Sequence, residues 1–386
     1  MAGVNPIPQT LLPLFGGFSL TYGWEGLANP GRMLLIVFYI VIGLVLLVKG
    51  GDWFVDGAVW FAEKFKIPKL LIGATIVSIA TTLPEFLVSV FAAIEGTQGL
   101  SSGTAAVDMA TGNAIGSVLC NIGLILSLSM IFTPLAVKGK DFVVKPSILL
   151  GAIVLFWIFS LDRSLYWWEA LLMILVLAGF FADNIIEARE EMKAQAGVEN
   201  GSEAEKGIKK DHGGAAGTPI ADQSEAKPSF SLTHPAFFHV GLFLLGVLGI
   251  IAGAQLLVDN ATEFATEAGV PTKIIAVTIV AVGTSLPELI TAVTSIIKRQ
   301  SDLSVGNLIG ASIIDQTLIL PVCSFIYGKA LPVLDSTLYL DLPFALSIVA
   351  LAVIPSMFTK KLQRWQGIVC LTLYIAYLAL SCTLKF

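Results

Sequence analysis

The chain has 386 residues, of which 55% are hydrophobic and only 13% charged, with a net charge of −5 and a mean hydropathy of +0.84. That composition is the one of a membrane protein and excludes an ordinary soluble domain. The acidic balance, with no basic run interleaved with aromatics, speaks against nucleic acid. Four cysteines (Cys120, Cys323, Cys370 and Cys382) without a C-x-x-C pair speak against a disulfide framework or a zinc site.

Residues 1–32 carry no Lys or Arg before Arg32, so the basic region of a cleavable signal peptide is missing. Tyr22 and Trp24 suit an outer membrane interface. A spanning helix needs about 20 apolar residues. Ten stretches qualify: 33–60, 69–94, 104–133, 142–161, 166–187, 235–262, 272–297, 303–327, 334–356 and 365–384. They form two halves of five spans, 33–187 and 234–386. The segment between them, 188–233, is rich in Glu, Lys, Gly and Ala and reads as a flexible loop. It is too short for a sizeable regulatory domain, and none is expected. His212, His234 and His239 lie in or just after this segment and read as solvated or interfacial.

Lys and Arg fall unevenly across these spans. One side holds 17 of them, including Lys64, Lys66, Lys69, Lys298, Arg299 and all those of the long loop; the other side holds 5. The bias puts the long loop in the cytoplasm and both termini outside. Each half has an odd number of spans, so the second half enters from the opposite side.

The two halves also repeat in sequence. Thr75-Ile-Val-Ser-Ile-Ala-Thr-Thr-Leu-Pro-Glu85 matches Thr278-Ile-Val-Ala-Val-Gly-Thr-Ser-Leu-Pro-Glu288. A shift of 203 also brings Val55-Asp56 onto Val258-Asp259 and Pro68 onto Pro271. Further on the shift is 194, and Gly112-Asn113-Ala-Ile-Gly116 falls on Gly306-Asn307-Leu-Ile-Gly310. The difference is absorbed in the turn around Thr97–Gly103, where length changes are tolerated. The expected fold is therefore an all-α membrane protein of ten transmembrane helices in two inverted five-helix repeats. Its site is expected at the midplane, where Pro-broken helices meet.

The motifs concentrate oxygen. Thr81, Thr82 and Glu85 are three and four apart and share a helix face. Pro84 removes the helical partner of the Ala80 carbonyl. Thr284, Ser285, Pro287 and Glu288 repeat the arrangement, with Gly283 freed. Asn113, Ser117 and Asn121 form a second polar stripe whose counterparts are Asn307, Ala311 and Asp315. The glycines of both G-N-x-I-G motifs permit close helix approach. Oxygen-only sites with carboxylates select hard cations such as Ca²⁺, Mg²⁺ or Na⁺. An unpaired carboxylate at this depth costs on the order of 3 kcal/mol. No Lys or Arg in the motifs neutralises Glu85, Glu288 or Asp315, so a cation or a proton must, which favours cation over anion transport. Plainer roles exist for the neighbours. Asn113 and Asn307 serve equally as interhelical hydrogen-bond residues, Asp56 and Asp259 as caps or pairs at the interface, Cys120 as a small packing residue, and Glu95 and Asp108 as solvated acids.

The T-[ST]-L-P-E motifs, each followed by G-N-x-I-G, resemble the two alpha-repeats of the cation/Ca²⁺ exchanger superfamily, and most closely its prokaryotic Na⁺/Ca²⁺ exchanger-like branch. The resemblance covers all ten spans. It implies secondary active antiport, with Na⁺ and Ca²⁺ as transported ions and no organic cofactor. The implied partners are the lipid bilayer and these cations. Glu85 and Glu288 would be the central ligands of both ions. Thr81, Thr82, Thr284, Ser285, Ser117, Asn121 and Asp315 would add side-chain oxygens, and Ser78 and Ala281 their carbonyls. The chain departs from the family at Ala80 and Thr82, where Gly and Ser are usual, and at Val118 and Ser312, where Asn is common. Ala311 replaces a typical serine, so one of the implied Na⁺ sites lacks a side-chain oxygen. Related exchangers with H⁺/Ca²⁺ or Na⁺/Mg²⁺ coupling remain as alternatives, with K⁺ involvement open at Asp315. The rival of another class is an intramembrane enzyme, but Lys49-Gly50-Gly51-Asp52 is not the G-x-G-D of intramembrane aspartyl proteases, and no Ser–His pair is evident.

Overall fold

The structure is a computed structural model and describes residues 30–97, 103–133, 135–136, 141–208, 236–267, 283 and 285–383. Eleven helices can be traced. They are α1 (Pro30–Phe65), α2 (Lys69–Thr81), α3 (Leu83–Thr97), α4 (103–132), α5 (Asp141–Phe159), α6 (Trp167–Ile208), α7 (Ala236–Glu267), α8 (Leu286–Ile297), α9 (Ser301–Tyr327), α10 (Thr337–Thr359) and α11 (Arg364–Thr383). Among the described residues seven helices are long and apolar enough to cross a membrane, or eight if the bent pair α2 and α3 forms one span. α8 is a shorter apolar helix, and the stretch expected to precede it, 268–282, lies outside the described residues. The protein is thus an all-helical membrane protein. Phe237, Phe358, Leu34 and Leu248 are all more than 60% exposed, as side chains facing hydrocarbon must be where no partner covers them.

α6 runs on to Ile208, into the segment read from sequence as loop. Its run of Glu, Ala and Lys consists of good helix formers, so propensity alone extends the helix beyond the apolar span. His239 also departs from the solvated reading. It is buried in α7, with its ring stacked on Trp60 of α1 at a centroid distance of 4.8 Å. His212 and His234 lie outside the described residues.

α1 and α7 form the tightest helix pair, and glycine makes it possible. A Cβ on Gly43 would lie 2.9 Å from the Gly253 carbonyl oxygen, and one on Gly50 would lie 2.7 Å from the Ile250 nitrogen. From the other side, a Cβ on Gly246 would lie 2.5 Å from the Phe54 nitrogen, and one on Gly253 2.7 Å from the Gly43 oxygen. Any larger residue would push the backbones apart, as in other small-residue crossings. The pair has its own apolar core of Leu47, Phe54, Val55, Phe243 and Ile250, which also touches Ile72, Val77 and Leu303. A larger core fills the space between α4, α5, α6, α9, α10 and α11, with Ile115, Phe156, Phe180, Ile313 and Ile348 at its centre.

Four two-residue strands tie the helix ends together: β1 (Leu135–Ala136), β2 (Ser164–Leu165), β3 (Leu331–Pro332) and β4 (Lys361–Leu362). β1 pairs antiparallel with β4, Leu135 opposite Leu362. β2 pairs antiparallel with β3, Leu165 opposite Leu331. β1 follows α4 as β3 follows α9, and β2 precedes α6 as β4 precedes α11. Each pairing therefore joins one half of the chain to the other, in an exchanged sense.

Candidate functional site

The first motif breaks its helix as its proline requires. α2 ends at Thr81, Thr82 lies in the break, and α3 leaves at 44°. Pro84 has no N–H to return to Ala80, so the ladder resumes only with Phe86 donating to the Thr82 carbonyl at 2.9 Å. Upstream, Gly73–Val77 is π-helical, a distortion the sequence did not announce. In the second motif Pro287 stands in the first turn of α8, Ser285 precedes it, and Glu288 follows on that turn.

The second polar stripe is distorted too, at equivalent places in the two halves. Asn121 lies in a π-helical stretch, Leu119–Leu126, within α4. Its counterpart Asp315 opens another, Asp315–Ile319, within α9. Such wide turns recur at functional positions because they redirect side chains and free backbone groups.

These elements bring the three acids together. Glu85, Glu288 and Asp315 are each 1% exposed. Glu85 feels the charges of Glu288 and Asp315, and Asp315 that of Glu288, while no Lys or Arg is among the groups acting on them. Both carboxylate oxygens of Glu85, both of Asp315 and Oε2 of Glu288 lack a hydrogen-bond partner. So do the hydroxyls of Thr82, Ser117 and Ser285 and the amide oxygen of Asn121. Buried polar atoms are paired in the great majority of proteins. A cluster of unpaired oxygens around three acids has the chemistry to accept a cation or a proton. Among the described residues no three Asp, Glu, Cys or His side chains converge closely enough to hold an ion by themselves. The expected ligands Thr284 and Ala281 lie outside the described residues.

Other expected ligands have protein partners. The Thr81 hydroxyl donates to the Asn307 side-chain oxygen at 3.2 Å, and its side chain also interacts with Glu288. The Ser78 carbonyl accepts from the Thr82 N–H at 2.9 Å and lies 3.4 Å from the Thr81 hydroxyl. The Ser78 hydroxyl bridges the Gly73 carbonyl and the Asn307 carbonyl at 2.7 and 2.9 Å. Asn113 donates to the Glu85 carbonyl at 3.2 Å and to the Ser89 hydroxyl at 2.9 Å. Both asparagines therefore act between helices. Gly306 and Gly310 bring α9 against α2: a Cβ on Gly306 would lie 2.2 Å from the Leu70 oxygen, and one on Gly310 2.6 Å from the Ala74 oxygen.

Cys120, read from sequence as a small packing residue beside Asn121, packs where its thiol meets Ser285, Tyr374 and Glu288. Other residues at or near the site were not singled out in the sequence. Tyr374 comes from α11, far from either motif, and carries no local signal. Gln316 is fully buried beside Asp315, with both amide atoms unpartnered. Asp341 is a fourth acid in an apolar segment; it accepts from the Thr337 hydroxyl at 3.0 Å and pairs with Tyr377, apart from the central three. Toward α1 and α7 the site is bordered by a tight crevice lined by Phe54, Ala80, Thr81, Val247, Ile250, Ile251 and Pro287.

The chain is similar to known proteins over almost its whole length. Its residues 35–182 and 238–383 each match the family model of the sodium/calcium exchanger protein. It is 33% identical over 354 residues to an uncharacterized membrane protein of Methanocaldococcus jannaschii, covering 90% of this chain and 98% of that protein. It is 28% identical over 359 residues to the sodium/calcium exchanger MaX1 of Methanosarcina acetivorans, covering 90% and 98%. The solved structure of the sodium-calcium exchanger NCX_Mj, soaked with Na⁺ and Ca²⁺, superposes with a TM-score of 0.67 at 29% identity, covering 91% of this chain and 99% of that one. Those of these relatives whose names state an activity are sodium/calcium exchangers rather than enzymes. With both halves of the chain matched, this protein belongs to the sodium/calcium exchanger family.

Proposed function

We propose that the protein is an antiporter exchanging Na⁺ for Ca²⁺ by alternating access, with the ions held near the membrane midplane between two inverted repeats. The observation that carries this reading is the cluster of Glu85, Glu288 and Asp315. It is buried, rich in unpartnered oxygen and without a cationic side chain to neutralise it. Three acids left charged in low dielectric require a bound cation or proton, and oxygen donors suit Ca²⁺ and Na⁺. In this reading Glu85 and Glu288 bind both ions. Thr81, Thr82, Thr284, Ser285, Ser117 and Asn121, with the carbonyls of Ser78 and Ala281, complete the shells. Asp315 takes the monovalent ion. Ser78 serves only once Thr81 turns from its carbonyl toward the ion.

The exchanged strand pairings, β1 with β4 and β2 with β3, support an internal twofold relation. So do the glycines of α1 and α7: Gly43 meets Gly253, Gly50 meets the Gly246 turn, and the 203-residue shift carries Gly43 onto Gly246 and Gly50 onto Gly253. Ten spans follow if the bent pair α2–α3, the stretch 268–297 and α11 each form one span beside the seven long apolar helices, with the Lys-rich loops cytoplasmic and both termini outside.

The test is ⁴⁵Ca uptake into proteoliposomes under imposed Na⁺, H⁺ and K⁺ gradients. Uptake driven by an outward Na⁺ gradient at constant pH is the expected result. Flux that follows the pH gradient and ignores Na⁺ overturns Na⁺ coupling, and competition by Mg²⁺ at equal strength overturns the choice of Ca²⁺.

A further inference from the structure

The α1–α7 pair borders the site from one side, through the crevice between Phe54, Ile250 and Pro287. At the end of the molecule carrying the basic loops, α1 is fastened to α8. A Cβ on Gly51 would lie 2.7 Å from Ile290 Cγ2 and 2.9 Å from the Thr294 hydroxyl, so the two helices are in direct contact there. One turn further, the Lys298 ammonium reaches Asp56 Oδ1 at 2.8 Å, Asp52 Oδ1 at 3.4 Å and the Asp52 carbonyl at 2.8 Å. Lys298 is 23% exposed and Asp56 13%. The clasp is therefore partly shielded, and it joins the helix pair directly to α8, whose first turn carries Glu288.

The opposite end is built differently. The 203-residue shift that superimposes the repeats carries Asp56 onto Asp259 of α7 and Lys298 onto Glu95 of α3, an acid in place of the cation. Asp259 Oδ2 is buried without a partner. Thr294, packed under Gly51, is 8% exposed, whereas its counterpart Phe91 is 43% exposed. α7 makes no packing along α3 comparable to that of α1 along α8 among the described residues. Ser295 of α8 and Ser304 of α9 are fully buried with unpartnered hydroxyls. Ser295 lies two turns beyond Glu288 on the same helix face.

We propose that Lys298 is a gate clasp. By bridging Asp52 and Asp56 it holds the basic-loop end of the site closed, and the equivalent position of the other repeat, Glu95, is an acid that cannot make the same bridge. The proposal rests on the alternating-access reading above. Each cycle must break the clasp when the site turns toward the basic-loop side.

Hydrogen–deuterium exchange on the purified full-length protein tests this without relying on transport. Lys298→Gln should raise backbone exchange in 289–305 relative to wild type by roughly fivefold, the weight of a partly exposed ion pair. Exchange in 83–94 should stay within twofold. Lys298→Arg should retain wild-type protection, and Asp52→Asn with Asp56→Asn should reproduce Lys298→Gln. In proteoliposomes, Lys298→Gln should also lower the half-saturating Ca²⁺ at the basic-loop face relative to the opposite face. Unchanged exchange in both the Lys298→Gln and the double-Asn variants refutes the clasp, as does an equal rise at both ends. Altered exchange together with wild-type protein that moves no Ca²⁺ refutes the exchanger reading instead.

Discussion

Glu288→Gln separates a coordinating carboxylate from one that merely packs. Glu288 is buried, keeps one carboxylate oxygen free of any partner and faces two other acids. Two unit charges 4 Å apart interact by about 4 kcal/mol at an effective dielectric of about 20, so a divalent ion gains about 8 from one carboxylate. The repulsion among the acids is present with or without the ion and cancels in the binding difference, except where the empty site takes up a proton. A proton that must leave as Ca²⁺ enters takes back about half of the gain. The net loss on removing the charge is on the order of 4 kcal/mol, or about a thousandfold in affinity. The amide is isosteric, so packing should survive. The assay is ⁴⁵Ca binding to purified protein together with Na⁺-driven uptake, with gel filtration as the control for folding. A Glu288→Gln protein that binds Ca²⁺ within tenfold of wild type and transports it normally would refute the assignment of this acid.

Asp315 has the neutral Asn121 as its repeat partner, so Asp315→Asn should alter the dependence on monovalent ions more than Ca²⁺ affinity; equal losses of both would make it a direct Ca²⁺ ligand. Ala311 lies on the face of Asp315 where a hydroxyl is usual in the family, and Ala311→Ser should raise apparent Na⁺ affinity or the Hill slope of Na⁺-dependent uptake, which a Na⁺ titration reads directly. Gly306→Ala would set a Cβ 2.2 Å from the Leu70 oxygen and 3.1 Å from the Ala74 nitrogen, both backbone atoms. It should lose about 1–3 kcal/mol to overpacking, outweighing a helix-propensity gain of up to about 1, and lower the melting temperature in detergent. Gly151→Ala, with nothing within 4 Å of the added carbon, is its neutral control.

Where the sequence reading departed from the structure, the cause was a force that sequence pattern does not carry. His239 reads as solvated because it follows a polar segment, yet a flat imidazole stacks well on Trp60 across a helix crossing that only the fold creates. The end of α6 reads as loop because its composition is polar, yet intrinsic propensity extends the helix beyond the apolar stretch. Tyr374 and Gln316 reach or border the site from outside the motifs, and no local spacing marks them.

The sequence by itself determined that the chain lives in a membrane, that its halves repeat, and that Glu85, Glu288 and Asp315 are acids without a resident counter-ion. Composition and the restricted chemistry of buried charge are enough for that, since proline and carboxylate in an apolar span have few other uses. Only the tertiary structure decided which oxygens stay unpaired, because a hydroxyl such as Ser78 is free or engaged according to the helix packed against it. It also decided that the two ends of the site differ. The repeats are alike in sequence, but Lys298 meets Asp52 and Asp56 across a glycine contact, and a contact between helices far apart in the chain is a property of packing geometry rather than of local residue pattern.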